Sequence, residues 1–477
     1  MTDIESILYN SGPLMSADLA ARLSKKNGIS VNTASQQIAR NKNIQKIKGF
    51  FASSQSLCYL DNHKKKYDLY KVLSAAMFKH GKKYWYCLNA LKIDSGFVRR
   101  DFLECYTNYP IKRLTGHHSF EKVLGLFVKN KILSHQSNEE YYLNPVFSGD
   151  TVNVPKSKTI DFIKRNVLDN FISVIQNTGM VSFNTAETFG EFGKFRWGIK
   201  GVSYISGLTD GSKPGFLIGD ILLGNAFYEK DIDFFIKKLE TIQSFKGRSR
   251  LFPCLLIDNL DPEALKKLKQ RGVVIFFIKE IFGEKYDETL RELFSLLNNI
   301  GASVKGSPKK LDKLITELEK YNLTVANGIK GTLFEYFVAH IVQRDFPNIN
   351  VGRIVFGEDE KHEIDIIAYN GSTVVVIECK SSRSKVISSD VRKWMRKVIP
   401  VVREYIKSQE LLNSKNITFE YWAMGEYDNE ARKLIESQKA TAKSGIYNFY
   451  NASDIESIIK DRKDKHLSNT FSNFFAK

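Results

Sequence analysis

Hydrophobic and polar positions follow a two-residue period in the segment HEIDIIAYNGSTVVVIECKSS, residues 362–382. Two apolar runs, IDIIAY and TVVVIECK, flank the pair Asn370-Gly371, which is typical of the two-residue turn of a β-hairpin. Because successive side chains on a strand point to opposite faces, Glu378 and Lys380 share one face of the second run. The pattern predicts a hairpin of largely buried strands that carries charged residues.

Charged side chains inside such strands need a compensating partner. Asp365 lies in the first apolar run, and Glu378 and Lys380 lie in the second. Charged residues are almost never fully buried unless they are paired, because an isolated buried charge loses its hydration. We therefore expect a bound cation beside the two carboxylates. The alternative is a solvated, charged strand end.

A helix is predicted upstream, in the segment GIKGTLFEYFVAHIVQRDF that starts at Gly328. Phe334, Phe337 and Ile341 recur at helical spacing and form an apolar stripe. Glu335 lies at the edge of that stripe. Its carboxylate either points at the same cation or faces solvent, and the pattern alone leaves both open.

In their order along the chain, Glu335, Asp365 and Glu378-Cys379-Lys380 resemble the motif of the PD-(D/E)xK nuclease superfamily. The resemblance is strongest to its Holliday junction resolvase-like and restriction endonuclease-like branch. Ile364 stands where the family motif often has proline. The resemblance implies that a helix carries the glutamate, that a hairpin carries the aspartate and the Glu-x-Lys, and that further α/β units follow.

This resemblance also implies a chemistry, with Glu335, Asp365, Glu378 and Lys380 as the catalytic residues. It implies Mg²⁺, for which Mn²⁺ can substitute, held by Asp365, Glu378 and the backbone carbonyl of Cys379. A divalent cation polarises the phosphoryl group and lowers the pKa of bound water, and Mg²⁺ prefers oxygen ligands. Lys380 would orient or deprotonate the attacking water. The Cys379 side chain is expected to point into the core.

A basic helix is predicted after the hairpin, in SSDVRKWMRKVIPVVREYI. Arg392 and Arg396 lie four residues apart and therefore on one helical face, opposite the apolar Trp394. Pro400 is expected to kink or end this helix. The cationic side chains either contact DNA phosphates or are simply solvated. A strand near Ile417, a helix and the strand IYNFY then complete an α/β domain.

The first 64 residues read as a winged helix. Ser16 is the predicted N-cap of a second helix, and VNTASQQIARNKN is the third, with Val31, Ala34 and Ile38 facing inward. Small polar, amide and guanidinium groups of the kind that read the major groove then face outward. These outward residues are Asn32, Thr33, Gln36, Gln37 and Arg40. The alternative is a helix-turn-helix used for protein contacts.

A second winged helix is predicted for residues 65–150. Its predicted helices start at Lys66, at Asp94 and after the N-cap Ser119, and NEEYYLNP would close its wing. His117 and His118 precede the third helix and either contact phosphate or belong to an ordinary loop.

Residues 151–299 are predicted to form a central α/β domain with the order β-β-α-β-α-β. Gly219-Asp220-Ile221 stands where the C-terminal domain has Glu-x-Lys, and no counterpart of Asp365 is apparent. We expect a degenerate nuclease-like fold that serves for DNA binding, spacing or dimerisation. A linker and helix at 300–325, with a linker composition from Asn298, precede the nuclease domain at 326–477.

Composition narrows the setting. The formal net charge of +18 and the pI near 9.4 favour a polyanionic partner such as nucleic acid. The five cysteines form no C-x-x-C pair, which indicates a reducing cytoplasm and disfavours zinc. No secretory leader is evident, and no apolar run is long enough for a membrane span. We therefore expect a cytoplasmic protein without a membrane partner.

Together these patterns predict a multidomain α+β and α/β protein that binds double-stranded DNA. Its domain order resembles type IIS restriction endonucleases, in which recognition and cleavage lie on separate domains. Cutting both strands implies a homodimer, at least a transient one. Three alternatives remain open: a structure-selective or non-specific defence or junction nuclease, a DNA-binding regulator that uses the nuclease fold as a scaffold, and an RNA-cutting enzyme.

Overall fold

The computed structural model describes ten stretches of the chain, and within them the protein is a mixed α+β multidomain structure with four sheets. The stretches are residues 2–93, 96–137, 139–148, 154–209, 213–245, 249–298, 308–321, 323–356, 361–441 and 446–476. Two compact units are present: Met1–Val152 with Leu168–Phe277, and Asn153–Val167 with Ile278–Lys477. In the described stretches, no helix is long and apolar enough to cross a bilayer.

The first N-terminal unit has the order α-β-α-α-β-β. Its elements are α1 (Asp3–Ser11), β1 (Leu14–Met15), α2 (Ser16–Asn27), α3 (Val31–Arg40), β2 (Gln45–Lys48) and β3 (Ser56–Tyr59), and its antiparallel sheet has the order β1-β3-β2. Ser30 caps α3 by accepting a hydrogen bond from the backbone N–H of Thr33 at 3.1 Å.

Two sequence predictions for this unit are wrong. Met15, not Ser16, is the N-cap of α2, because the Ser16 hydroxyl accepts a hydrogen bond from the backbone N–H of Ser56 instead. Val31 is 51% exposed, whereas Ala34 and Ile38 are buried as predicted. Val31 is the first residue of α3, where the helix has not yet reached the core.

The second N-terminal unit repeats this strand order. Its elements are α4 (His63–Lys66), α5 (Leu69–His80), α6 (Lys82–Ile93), β4 (Phe97–Arg99), α7 (Arg100–Cys105), α8 (Phe120–Lys129), β5 (Leu133–Ser137), β6 (Glu140–Leu143) and α9 (Pro145–Ser148), with the sheet order β4-β6-β5. The helix predicted from Asp94 instead begins with a strand, Phe97–Arg99, which pairs with β6; Asp94 itself lies outside the described residues. Ser119 caps α8 as predicted.

The central region forms a five-stranded sheet with the order β11-β10-β9-β8-β7. Its elements are α10 (Val154–Asn177), β7 (Glu187–Phe192), β8 (Phe195–Ser203), β9 (Gly215–Leu222), α11 (Asp233–Gln243), β10 (Leu251–Ile257), α12 (Pro262–Gln270), β11 (Val274–Phe277), α13 (Ile278–Phe282) and α14 (Glu284–Asn298). β7, β8 and β9 are antiparallel neighbours, whereas β9, β10 and β11 are parallel. Sequence reasoning missed α10 and β7.

The C-terminal region has a second five-stranded sheet, with the order β12-β13-β14-β15-β16. Its elements are α15 (Pro308–Tyr321), α16 (Leu323–Gly328), α17 (Lys330–Val342), β12 (Asn348–Phe356), β13 (Lys361–Tyr369), β14 (Thr373–Lys380), α18 (Ser388–Lys393), α19 (Ile399–Ser408), β15 (Asn416–Ala423), α20 (Asn429–Thr441), β16 (Ile446–Tyr450), α21 (Ala452–Arg462) and α22 (Lys465–Thr470). β12, β13 and β14 are antiparallel neighbours, whereas β14, β15 and β16 are parallel. Both five-stranded sheets therefore share one topology.

Local chemistry explains the elements around the hairpin. The predicted β13–β14 hairpin is present, but its turn is shifted by one residue: Asn370 N–H bonds to Thr373 O, and the Asn370 side chain accepts from the backbone N–H groups of Ser372 and Thr373. Such an Asx turn needs no left-handed residue. Pro400 does not end the basic helix, which passes through a π-helical turn at Trp394–Val398 into α19.

One face of the C-terminal sheet is covered by an aromatic core. Trp394, Phe419 and Tyr421 are at most 5% exposed, and the rings of Trp394 and Tyr421 lie 5.3 Å apart. Burying each such side chain contributes about 1.5–3 kcal/mol. The predicted inner face of the basic helix is therefore confirmed, and this packing fixes α18 beside the end of β14.

Candidate active site

Asp365 and Glu378 lie side by side where the β13–β14 pairing ends. The last paired residues are Ile366 and Ile377. Asp365, which precedes Ile366, and Glu378, which follows Ile377, therefore fall on the same face of the sheet. Beyond this point the Asp365 carboxylate accepts a hydrogen bond from the backbone N–H of Cys379 at 2.7 Å. Both residues are half-buried at the point where the pairing of these two inner strands ends.

Glu335 reaches the same neighbourhood from α17. It is only 9% exposed, and its Oε2 has no hydrogen-bond partner among the described residues. Burial raises its pKa well above the ordinary value, and the charges of Asp365, Glu363 and Glu378 raise it further. An unpartnered buried carboxylate oxygen beside two more carboxylates fits a bound cation, which would supply the missing partner.

The pKa values of the other two carboxyls are also raised. Burial raises the pKa of Asp365 to about 7, although the Cys379 N–H opposes the rise. Burial raises the pKa of Glu378 well above its usual range, Asp365 and Glu363 add to the rise, and Lys393 opposes it. Carboxylates that repel one another in this way favour a divalent cation, which displaces the protons on binding.

The carboxylates do not form a complete cage. In the described part of the chain, no three His, Cys, Asp or Glu side chains make a ready metal-binding group. Mg²⁺ nevertheless needs only one or two protein carboxylates, because it keeps several of its waters. Asp365 and Glu378 therefore suit Mg²⁺ better than an ion such as zinc, which requires a closed set of protein ligands.

Lys380 lies two residues beyond Glu378 on the same face of β14, and its ammonium is held by a residue that sequence reasoning missed. Its ammonium donates a hydrogen bond to Oδ2 of Asp390, in the first turn of α18. The two side chains are 28% and 34% exposed, so the pair lies at the rim and not in bulk solvent. The only signal in the sequence was an acidic residue at the start of a helix, which ordinarily serves the helix dipole.

Replacing Asp390 with asparagine is expected to slow a reaction catalysed at this site about 10- to 100-fold, the usual cost of removing an outer partner that orients a site residue. The neutral amide would no longer fix the Lys380 ammonium. Single-turnover rates measure the effect, with Ser389→Ala in the same turn as the control. A rate unchanged by Asp390→Asn would show that the pair has no part in the chemistry.

Cys379 lies at the boundary between the core and the site. It is partly exposed and not fully in the core, because it lies at the end of β14, where the sheet meets the site. Burial raises the pKa of its thiol, as do the charges of Asp365, Glu335 and Glu378. The thiol therefore lies near the carboxylates and stays protonated.

The predicted DNA-binding side chains divide into two groups. Arg392 and Arg396 are exposed on the basic helix, as are Lys393 and Lys397 between and beside them. The residues predicted on α3 belong to the other compact unit, and all of them are exposed: Asn32, Thr33, Gln36, Gln37 and Arg40. His118 instead stacks on Tyr84, with ring centroids 5.5 Å apart, which favours its structural role.

The central sheet has no equivalent carboxylate pair. The pairing of Ile199 with Gly219 places Gly198 opposite Asp220, at the positions that Asp365 and Glu378 occupy in the other sheet. The Asp220 carboxylate accepts a hydrogen bond from the Gly198 N–H at 2.7 Å and pairs with the Lys238 ammonium at 2.8 Å. Both side chains of the ion pair are fully buried, so neither is available to a substrate.

Comparison with protein families gives a match at the C-terminal sheet. The family described as NERD, nuclease-related domain, matches residues 330–428. This stretch is similar to the nuclease-related domain. It contains the carboxylates of α17, β13 and β14, together with Lys380 and Asp390, so a family match and a charged cluster coincide in one segment.

The nuclease-related stretch covers only part of the chain, and further comparisons add little. No curated protein matches the sequence. Solved structures with detectable similarity include the protein of unknown function AF1548 (14% identity, 28% of this chain and 67% of that one, TM-score 0.22). Protein VC1899 from Vibrio cholerae has 14% identity, covers 44% of this chain and 58% of that one, and has a TM-score of 0.22. Can2 from Sulfobacillus thermosulfidooxidans, solved with cyclic tetra-adenylate, has 11% identity, covers 52% of this chain and 92% of that one, and has a TM-score of 0.21.

Proposed function

We propose that this protein is a Mg²⁺-dependent DNA endonuclease whose C-terminal nuclease-related domain cuts phosphodiester bonds. One observation carries the proposal: within that domain, the carboxyls of Glu335, Asp365 and Glu378 lie close together with raised pKa values, and the buried Oε2 of Glu335 has no hydrogen-bond partner among the described residues. Lys380 lies two residues beyond Glu378 on β14. Bringing several half-buried carboxylates together costs free energy unless a bound cation compensates their negative charge.

In the proposed mechanism, Asp365 and Glu378 would hold the metal, and the nearby Glu335 would add its negative charge to the site. A bound Mg²⁺ supplies a water of lowered pKa and polarises the phosphoryl oxygen. The Cys379 N–H holds one oxygen of Asp365, and the other oxygen would be the one that binds the ion. The Lys380 ammonium, oriented by Asp390, positions the attacking water and offsets negative charge that develops on the phosphate.

DNA contact is proposed to involve two surfaces. Arg392 and Arg396, exposed on the basic helix that follows β14, would contact backbone phosphates near the cut. The first N-terminal unit, which we propose is a winged helix, would read bases through α3. With recognition and cleavage on separate domains, the enzyme would cut outside its site, as type IIS restriction enzymes do, and two copies would meet to cut both strands.

A digestion of supercoiled plasmid with Mg²⁺ tests the function directly. Discrete fragments that disappear when EDTA is added are expected from a sequence-specific nuclease. A Mg²⁺-dependent smear would support the non-specific or structure-selective alternative instead. Intact plasmid at all enzyme concentrations, with DNA still retarded in gel shifts, would contradict the nuclease and favour a DNA-binding regulator.

Mg²⁺ is also expected to stabilise the free protein. A ligand at a concentration 100 times its Kd that binds only the folded state adds about 2.7 kcal/mol to the free energy of unfolding. Thermal denaturation with and without Mg²⁺ should therefore show a rise in Tm for the wild type and none for Asp365→Asn, which loses one metal ligand. The exposed Glu456→Gln on α21 is the control, and it should respond like the wild type.

A further inference from the structure

The two N-terminal units share a fold pattern, and we propose that only the first of them reads DNA sequence, through α3, while the second is an adaptor that makes no base contacts. This inference rests on the proposed function, since it specifies which surface recognises duplex DNA. Its partner is the major groove, whose base edges present hydrogen-bond donors and acceptors to side chains.

The helices α3 and α8 correspond to one another from cap to cap. Each has a serine N-cap, Ser30 or Ser119, that accepts a hydrogen bond from a backbone N–H three residues on. Each has ten residues and is followed by an asparagine as its C-cap, Asn41 or Asn130. The three-stranded sheets around them have the same order of first, third and second strand. The residues of the two helices can therefore be compared position by position.

The outer face of α3 suits base contacts. Gln36, Gln37 and Arg40 are exposed, and Ala34 and Ile38 fix the opposite face in the core. Amide side chains can bond adenine through two hydrogen bonds, and arginine can bond guanine in the same way.

The equivalent face of α8 lacks the two amides and keeps only a cation, Lys129, at the position of Arg40. The cap-to-cap comparison places Gly125 at the position of Gln36 and Leu126 at that of Gln37, so neither amide has a polar counterpart. Glu121 stands at the position of Asn32 and forms an ion pair with Arg100. A carboxylate at the N-terminus of a reading helix would repel the phosphates on either side of the groove.

The first unit also covers part of α8. Leu126 lies over Gly49, where a Cβ would come within 3.0 Å of its Cδ1. The Asn130 side chain accepts a hydrogen bond from the N–H of Lys48, the last residue of β2, at 3.2 Å. The rings of Phe127 and Phe50 lie 4.9 Å apart. Leu126, which stands at the position of Gln37, is therefore partly covered by the first unit.

The other side of the second unit is attached to the central sheet. Tyr106 donates its hydroxyl hydrogen to Ile221 O at 2.6 Å, and Tyr86 donates to the Asp233 carboxylate at 2.8 Å. The buried Lys238 ammonium donates to Cys105 O at 2.8 Å. The second N-terminal unit thus joins the first N-terminal unit, which carries α3, to the central sheet. All three belong to the compact unit Met1–Val152 with Leu168–Phe277, and this is the arrangement expected of an adaptor.

A selection from a random-sequence duplex library tests the proposal with full-length chain. The Asp365→Ala background prevents cleavage, so binding is measured separately from catalysis. The α3 variant is Gln36→Ala with Gln37→Ala, and the matched α8 variant is Lys122→Ala with Lys129→Ala, which removes the exposed cations of that helix. All four residues are exposed, and thermal denaturation checks that each variant folds.

The α3 variant is expected to lose about 10- to 100-fold of its preference for the selected sequence while its affinity for unrelated DNA changes little. The α8 variant should select the same sequence as the parent chain. An altered sequence from the α8 variant, an unaltered one from the α3 variant, or no selected sequence from the parent would overturn the proposal. If wild-type protein fails to cut DNA but the parent still selects a sequence that depends on α3, the nuclease proposal fails and this one stands.

Discussion

Replacing Lys380 with methionine is expected to slow DNA cleavage about 10²- to 10⁴-fold, the usual contribution of a residue that positions or transfers a proton. Methionine keeps most of the length of the side chain but lacks the ammonium that donates to Asp390. Because Asp365 and Glu378 remain, the rise in Tm with Mg²⁺ should persist. The variant thus separates loss of chemistry from loss of metal.

Single-turnover cleavage at saturating Mg²⁺ measures this effect. Lys460→Met is the control, since Lys460 pairs with Glu456 on the exposed face of α21. If Lys380→Met cut DNA as fast as this control, Lys380 would have no role in the reaction. If it lost the thermal response to Mg²⁺ as well, the lysine would be needed to maintain the metal site, and its assigned role would be wrong.

The second large effect concerns stability. Replacing Lys238 with methionine is expected to reduce the free energy of unfolding by about 3–5 kcal/mol, because removing one partner of a buried ion pair leaves an uncompensated charge. The Lys238 ammonium donates to the Asp220 carboxylate, to Cys105 O and to Arg196 O, all within 2.9 Å. It also lies 4.0 Å from the centre of the Trp197 ring.

The pKa of Asp220 explains how the loss would develop. Burial raises the pKa of this carboxyl, and Lys238 is the largest influence that lowers it. Without the lysine the carboxyl would take up a proton or unfold the domain. The double variant Lys238→Met with Asp220→Asn removes both charges yet keeps an acceptor for the Gly198 N–H, so it should recover part of the stability.

Urea denaturation of the full chain measures both variants. The neighbouring Lys237→Met is a close control, because Lys237 forms a half-exposed ion pair with Glu240, and such pairs contribute at most about 1 kcal/mol. A Lys238→Met protein as stable as this control would mean that the buried pair does not hold the second unit, β8 and β9 together. A double variant less stable than the single one would contradict the charge argument.

The C-terminal hairpin could be predicted because two independent signals agreed there. The alternation of TVVVIECK set the strand, and the charged residues within an apolar run marked the site. The helix with Glu335 followed from its aromatic spacing. The sequence could not decide between a buried and a solvated Glu335, because that depends on the packing of α17 against the sheet, where it is 9% exposed.

Other elements gave weaker signals. α6 is buried on nearly every side, so it has no amphipathic stripe from which periodicity could identify it. β7 contains a glycine and two glutamates, and its residues are mostly half-buried, which is the composition of an edge strand. Asp390 could not be assigned to Lys380 because the contact joins a strand end to a separate helix, and only the fold brings them together.

The central prediction is that Asp365 and Glu378 hold a catalytic Mg²⁺, and Mg²⁺-dependent cleavage of duplex DNA by the wild type and by Asp365→Ala tests it most directly. The wild type should cut, and Asp365→Ala should lose cutting while it retains most of its affinity for DNA in gel shifts. Equal Mg²⁺-dependent cutting by the two proteins would contradict the assignment of this site.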